Sequence, residues 1–184
     1  METMPSLTGK KAAMIIGFRD FRDEEYFIPK QVLEEAGIKI ITVSSKSGTA
    51  VGIQGGEAKV DALLEDVKPE DYDVILFVGG SGALKYQDDE NCHRIIKEAA
   101  AAKKILAAIC IAPVILAKAG ALQGKKATVW NSAMDKSAVK TLEENGAIFV
   151  QNPVVVDGTI VTASGPDWAK EFADEIITLL SKNQ

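Results

Sequence analysis

Short apolar runs and longer amphipathic stretches alternate along this chain. Residues 12–16 are apolar and end at Gly17, 38–43 are rich in β-branched residues, 74–78 end at Gly79 and Gly80, and 104–109 are apolar after their first lysine. Runs like these, with little polar alternation, read as strands buried on both faces. Between them come helix-like stretches. One closes at Glu35, Ala36 and Gly37, with glycine in the left-handed stop position. One runs from Asn91 through Ala102, one from Ile111 to Ala119 before Gly120, and one from Lys136 to Glu144 before Asn145 and Gly146. The last runs from Asp167 to about Leu180. Further short strands are expected at 127–129, 147–150, 154–156 and 160–162, with Asp157 and Gly158 marking a tight hairpin between the last two.

Apolar strands alternating with helices predict a mostly parallel sheet covered on both faces, with the ligand crevice outside the carboxyl ends of the strands. Three segments converge on that rim: 17–25, 79–82 and 110–111. The polar segment 44–59, rich in glycine and serine, reads as a hairpin or flap. No repeat, low-complexity tract or linker divides the 184 residues, so one domain over 1–184 is expected, with 1–9 as a loose N-terminal extension.

Composition narrows the class. Hydrophobic residues make up 47% and charged residues 26%, with a net charge of −5, and the basic residues are scattered in pairs. That balance argues against a nucleic-acid partner. No apolar run reaches the ~18 residues of a membrane span, and the opening residues lack a signal-peptide pattern, so a cytoplasmic protein is expected. Cys92 and Cys110 fall on segments that read differently and are expected as free thiols. With a single histidine, His93, no metal site and no cofactor are expected.

Cys110 carries the candidate chemistry. It stands where the strand 104–109 turns into a helix-like stretch whose early Pro113 suits a first helical turn. A thiol at a helix N-terminus is expected to ionise more easily than usual, toward ~3.5–7.5. Buried packing as a small hydrophobe is the alternative role for a free cysteine. On the rim segment 17–25, a helix opening near Glu24 puts Glu25, Ile28 and Val32 on one face. Glu25 then points either inward toward Cys110 or outward as a solvated acid in a first helical turn. If inward, burial raises its pKa, and the protonated acid can donate to sulfur. Gly79 and Gly80 allow close backbone approach, and the N–H groups of Gly80 and Ile111 could form an oxyanion hole. His93 falls on the polar face of its helix, opposite Cys92, and is expected to face solvent.

The stretch 107–128, the spacing Phe21–x–Asp23–x–Glu25 four residues before Pro29, the turn Val78–Gly79–Gly80 and the pair Gly165–Pro166 resemble the DJ-1/PfpI superfamily. The resemblance spans roughly 10 to 181. It implies a flavodoxin-like three-layer α/β sandwich with a cysteine nucleophile elbow, a homodimer or higher homo-oligomer, Cys110 as reactive thiol and Glu25 as its carboxylic partner. Four positions depart from the pattern. Ile111 stands where protease-like members carry a histidine, and Trp130 where glyoxal-acting members do. Arg22 replaces a glutamate of some members, and Val78 replaces a proline. Whether Glu24 or Glu25 reaches the sulfur depends on a one-residue register.

Three functions are compatible with this reading. One is a cysteine hydrolase or glyoxalase-like enzyme for small reactive carbonyl compounds. Another is a non-catalytic, redox-responsive stress protein whose Cys110 is oxidised to sulfenic or sulfinic acid. The third is a small-molecule binding module with Trp130 and Phe18, beside Gly79, lining its pocket.

Overall fold

The computed structural model describes residues 6–183. In chain order the elements are β1 (Lys11–Ile15), β2 (Arg19–Phe21), α1 (Asp23–Glu35), β3 (Lys39–Ser44), β4 (Thr49–Gly52), β5 (Glu57–Lys59), β6 (Ala62–Leu63), β7 (Val74–Phe77), α2 (Glu90–Ala101), β8 (Ile105–Ile109), α3 (Pro113–Lys118), β9 (Lys126–Ala127), α4 (Ser137–Glu144), β10 (Ile148–Phe149), β11 (Val154–Asp157), β12 (Ile160–Ala163) and α5 (Ala169–Lys182). Seven strands form the central sheet in the order β11-β12-β8-β7-β1-β3-β6. All of its pairings are parallel except that of β11 with β12, joined by the hairpin at Asp157 and Gly158.

Period-two side-chain alternation divides the core between the two faces. Ile75 and Phe77 of β7 pack with Ile95 of α2, Ile115 of α3 and Leu142 of α4 on one face. Val74 and Leu76 pack with Leu33 of α1 and Phe172 and Ile176 of α5 on the other. Both faces being covered explains why these strands carry no polar alternation. The layers are those of a flavodoxin-like α/β sandwich.

Several expectations are corrected. The segment expected as a strand at 127–129 pairs only over Lys126–Ala127, and with β10 outside the main sheet, because β12 already occupies the edge of β8. The helix after Cys110 is short, with Pro113 at its first position and Ala119 as its C-cap. The last helix opens with a 3-10 turn, Pro166–Trp168, before α5. The polar flap is a hairpin, β4 against β5, but it extends a separate three-stranded sheet through β2, which the sequence pattern did not suggest. Of the N-terminal extension, 1–5 lie outside the described residues. Leu7 is fully buried and its N–H donates to the Ala36 carbonyl at 2.8 Å, so the chain is already docked there.

Candidate active site

The carboxyl ends of β1, β7 and β8 bring the candidate residues together. Cys110 follows β8 directly and has φ = +63°, a left-handed conformation uncommon for a side chain of this size. Its N–H donates to the Ala163 carbonyl and its own carbonyl accepts the Trp130 N–H, both at 2.8 Å. These bonds hold the strained turn in place, as a nucleophile elbow requires.

Glu25 lies in the first turn of α1 and is completely buried. The buried positions of this helix are Asp23, Glu25, Tyr26, Pro29 and Leu33, while Ile28 is exposed. The expected Glu25–Ile28–Val32 face is therefore corrected to one running through 25, 29 and 33. The stripe repeats every four residues, through Pro29 and Leu33, and so passes one position beyond Ile28 and Val32.

Gly79 makes the meeting of acid and thiol possible. A Cβ placed there would lie 2.7 Å from the Cys110 Cβ and 2.9 Å from Glu25 Oε1. Gly80, at φ = +98°, adopts a conformation that favours glycine, and a Cβ there would strike the backbone of Asp20 and Arg22. The Arg22 N–H donates to the Gly79 carbonyl at 3.0 Å, tying the start of α1 to this turn. Glu24 instead accepts the Gln54 side-chain amide at 2.8 Å and sits 3.7 Å from Arg22 Nε.

The electrostatics are unusual. Neither Glu25 oxygen has a hydrogen-bond partner of full geometry among the described residues, and the thiol of Cys110 is the polar side-chain group they face. Burial pushes the Glu25 pKa up from 4.5 to about 8, against the lowering effects of the Arg22 charge and the Cys110 thiol. Glu25 is thus a neutral acid at pH 7. Burial, then the Glu25 charge, pushes the Cys110 thiol up to about 12, opposed by the Ile111 N–H, the Arg22 charge and the Gly80 N–H. The expected easy ionisation is reversed. The helix begins only at Pro113, so its N-terminus does not compensate the desolvation of the sulfur. The two groups titrate as a pair: while Glu25 keeps its proton, its charge does not oppose a thiolate.

The other candidates fall as follows. The Ile111 and Gly80 N–H groups are directed at the Cys110 sulfur itself. Trp130 is partly exposed and meets Cys110 through the backbone. Phe18 lines a different cleft, which includes neither Cys110 nor Trp130. His93 is half-buried rather than solvent-facing, and its ring N–H donates to the Gln87 carbonyl at 2.7 Å. Cys92 is fully buried and its pKa is raised. Among the described residues no group of three His, Cys, Asp or Glu side chains comes together to hold a metal, and no helix is long and apolar enough to cross a membrane.

Asp23 and Arg22 have structural roles that the sequence did not reveal. The Asp23 carboxylate accepts the N–H groups of Gln54 and Gly56, each at 2.8 Å, and so pins the β4–β5 hairpin to the start of α1. The acidic run 23–25 could have signalled this only if the hairpin's position had been known.

A mostly parallel sandwich with a strained cysteine directly after β8 and a buried acid facing it defines a class: flavodoxin-like α/β proteins built around an elbow thiol. The chain belongs to the DJ-1/PfpI family, whose pattern matches residues 10–179. General stress protein 18 of Bacillus subtilis is 34% identical, over 95% of this chain and 99% of its own length. A deglycase of Pyrococcus abyssi is 30% identical, over 86% and 95%. The crystal structure of a ThiJ/PfpI domain protein from Brachyspira murdochii matches with a TM-score of 0.88 and 33% identity, covering 95% of this chain and 99% of that one.

Proposed function

We propose that this protein is a cysteine-dependent enzyme for small reactive carbonyl compounds, with Cys110 as nucleophile and Glu25 as proton carrier. One observation carries this reading: a fully buried carboxyl group faces the thiol, with no other side-chain hydrogen-bond partner among the described residues. Such a group can serve both ends of an addition. As sulfur bonds to an aldehyde carbon, one Glu25 oxygen takes the thiol proton while the other gives its own to the carbonyl oxygen. The C=O π bond is replaced by a C–S bond and an O–H bond, and Glu25 ends protonated as it began. The Gly80 and Ile111 N–H groups stabilise the charge developing beside the sulfur. No histidine is needed for this step, in keeping with Ile111 and Trp130 at the positions where related proteins are expected to carry one. The P. abyssi relative named a deglycase supports a carbonyl substrate class.

The test is turnover of methylglyoxal. Consumption well beyond one molecule per protein chain, lost in Cys110→Ser and strongly reduced in Glu25→Gln, is the expected result. Consumption that stops at one equivalent excludes catalysis on this substrate.

A second reading has its own observation. The two N–H groups aimed at sulfur, together with a neutral carboxylic donor, are suited to holding oxygen atoms added to Cys110, and one relative is named a general stress protein. Peroxide converts the thiol to sulfenic acid and water, and a second peroxide gives the sulfinic acid. In this reading exposure to peroxide adds two oxygen atoms at Cys110 and none at Cys92, with no methylglyoxal turnover.

For either reading we propose a cytoplasmic homodimer. Two free thiols suit a reducing compartment. The exposed Phe27 and Ile28 on α1 and the exposed Ile53 in the turn of the β4–β5 hairpin suit a subunit contact.

A further inference from the structure

A second cleft opens on the same rim, on the β3 side of the β1–α1 segment. In the central sheet the connection leaving β1 runs to α1 on one face, and that leaving β7 runs toward α2 on the other. Where neighbouring connections part to opposite faces, a crevice forms outside the strand ends, and in open α/β sheets this is where ligands bind. The cleft here has a volume of about 360 Å³, at the small end of the ~300–1,000 Å³ typical of ligand sites.

Its lining is chemically one-sided. Arg19, Lys46 and Lys85 contribute three positive charges. None of them makes an ion pair among the described residues, in a chain whose net charge is −5. The carboxylate in the lining, Asp89, is engaged as the N-cap of α2, accepting the Cys92 N–H at 2.9 Å. Phe18 supplies an apolar wall, and the Arg19 guanidinium lies 5.6 Å from the centre of its ring.

The floor is rigid. The buried Tyr86 hydroxyl donates to the Ile16 carbonyl at 2.8 Å and accepts the Ser45 N–H at 3.2 Å, while Ser44 Oγ donates to the same carbonyl at 2.8 Å. Gly17 and Gly82 bring the β1 and β7 connections into contact: a Cβ on Gly17 would lie 2.8 Å from the Arg19 carbonyl oxygen and 3.1 Å from Gly82. The same turn that presents Gly79 to Cys110 and Glu25 thus presents Gly82 to this cleft, so the two sites share a scaffold but no side chain.

We infer that this cleft is a second binding site, distinct from the thiol, for a small molecule carrying a phosphate or carboxylate on a flat apolar body. The anion meets Arg19, Lys46 and Lys85, and the body lies against Phe18. Unpaired cations in a concave site concentrate such an anion and reward it with charge-assisted hydrogen bonds.

Amide NMR of the full chain, titrated at physiological ionic strength with phenyl phosphate, benzoate and benzyl alcohol, tests this. Saturable shifts with phenyl phosphate, centred on Gly17, Phe18, Lys46 and Lys85, are expected. Affinity is expected to fall about tenfold or more in Lys46→Ala/Lys85→Ala, to be largely kept in Lys46→Arg/Lys85→Arg, and to be unchanged in Cys110→Ser. Benzoate binding at the same amides identifies a general anion site, and phenyl phosphate alone a phosphate site. Either supports the inference. It is overturned if the shifts do not saturate, if benzyl alcohol binds as well as the anions, if the double alanine variant binds normally, or if the shifts centre on Gly79, Cys110 and Ile111.

Discussion

Glu25 concentrates the chemistry of this molecule in one side chain, and its energetics give the first test. Below pH 4.5 the carboxyl is protonated in both folded and unfolded chains. Between 4.5 and about 8 the unfolded chain gives up the proton while the folded one keeps it, so stability falls as pH rises through this window and levels off above it. The interval from 4.5 to about 8 corresponds to on the order of 5 kcal/mol at 1.36 kcal/mol per pH unit. Glu25→Gln, which keeps the shape without the charge, is expected to gain stability over the wild type progressively from pH 5 to pH 8 in urea unfolding. A constant difference across that range contradicts a raised Glu25 pKa. The placement of this residue was half legible in the sequence. Helical spacing offered an inward direction, but also an outward one, and the face of α1 that docks on the sheet, through Leu33, decided between them. The raised thiol pKa was not legible, because it comes from desolvation by segments remote in sequence.

At the scale of elements, local chemistry announced what local chemistry builds. The Gly79–Gly80 turn, Pro113 at the first position of α3 and the Asp157–Gly158 hairpin are each set by residues adjacent in the chain. β2 was hidden because its three residues, Arg19, Asp20 and Phe21, include two charges and a left-handed Asp20 at φ = +61°. It is a strand only because β4 pairs with it across the hairpin. Asp23 fixes that hairpin through two backbone N–H groups. Asp23→Ala is expected to cost roughly 1.5–3 kcal/mol for a hydrogen-bonded charge and to speed amide exchange at Gln54 and Gly56 well above that of the β1 and β7 amides. Unchanged exchange at those two amides contradicts the pinning role.

For the whole molecule, the alternation of apolar runs and amphipathic helices was enough to give the layered sandwich, since strands covered on both faces leave an unmistakable pattern. Where clefts open was not. Phe18 and Trp130 read as walls of one pocket, yet Phe18 faces a cleft that includes neither Trp130 nor Cys110, and Lys46 and Lys85 reach that cleft from the separate connections that follow β3 and β7. Assembly belongs to this scale too. The Phe27 ring fits against the hairpin because Gly56 has no side chain; a Cβ there would lie 2.6 Å from the ring. That contact places Phe27 next to the hairpin that carries Ile53. Light scattering is expected to give the mass of a dimer for the wild type and of a monomer for Phe27→Asp/Ile53→Asp. A monomeric wild type contradicts the proposed assembly.

The pairing of Glu25 with Cys110 is tested most directly by the rate of iodoacetamide labelling at Cys110 from pH 4 to 10, resolved by mass spectrometry, with Cys92 as the buried control. Only the thiolate reacts. In the wild type the rate should climb with pH and level off near pH 8, because the proton lost there is shared between carboxyl and thiol and the thiolate fraction then stays constant. In Glu25→Gln the rate should keep climbing past pH 8 without a plateau, and Cys92 should stay unlabelled in both. Identical profiles in wild type and Glu25→Gln, or a plateau below pH 7 in both, would mean that Glu25 and Cys110 do not share a proton and that the buried acid has no part in activating the thiol.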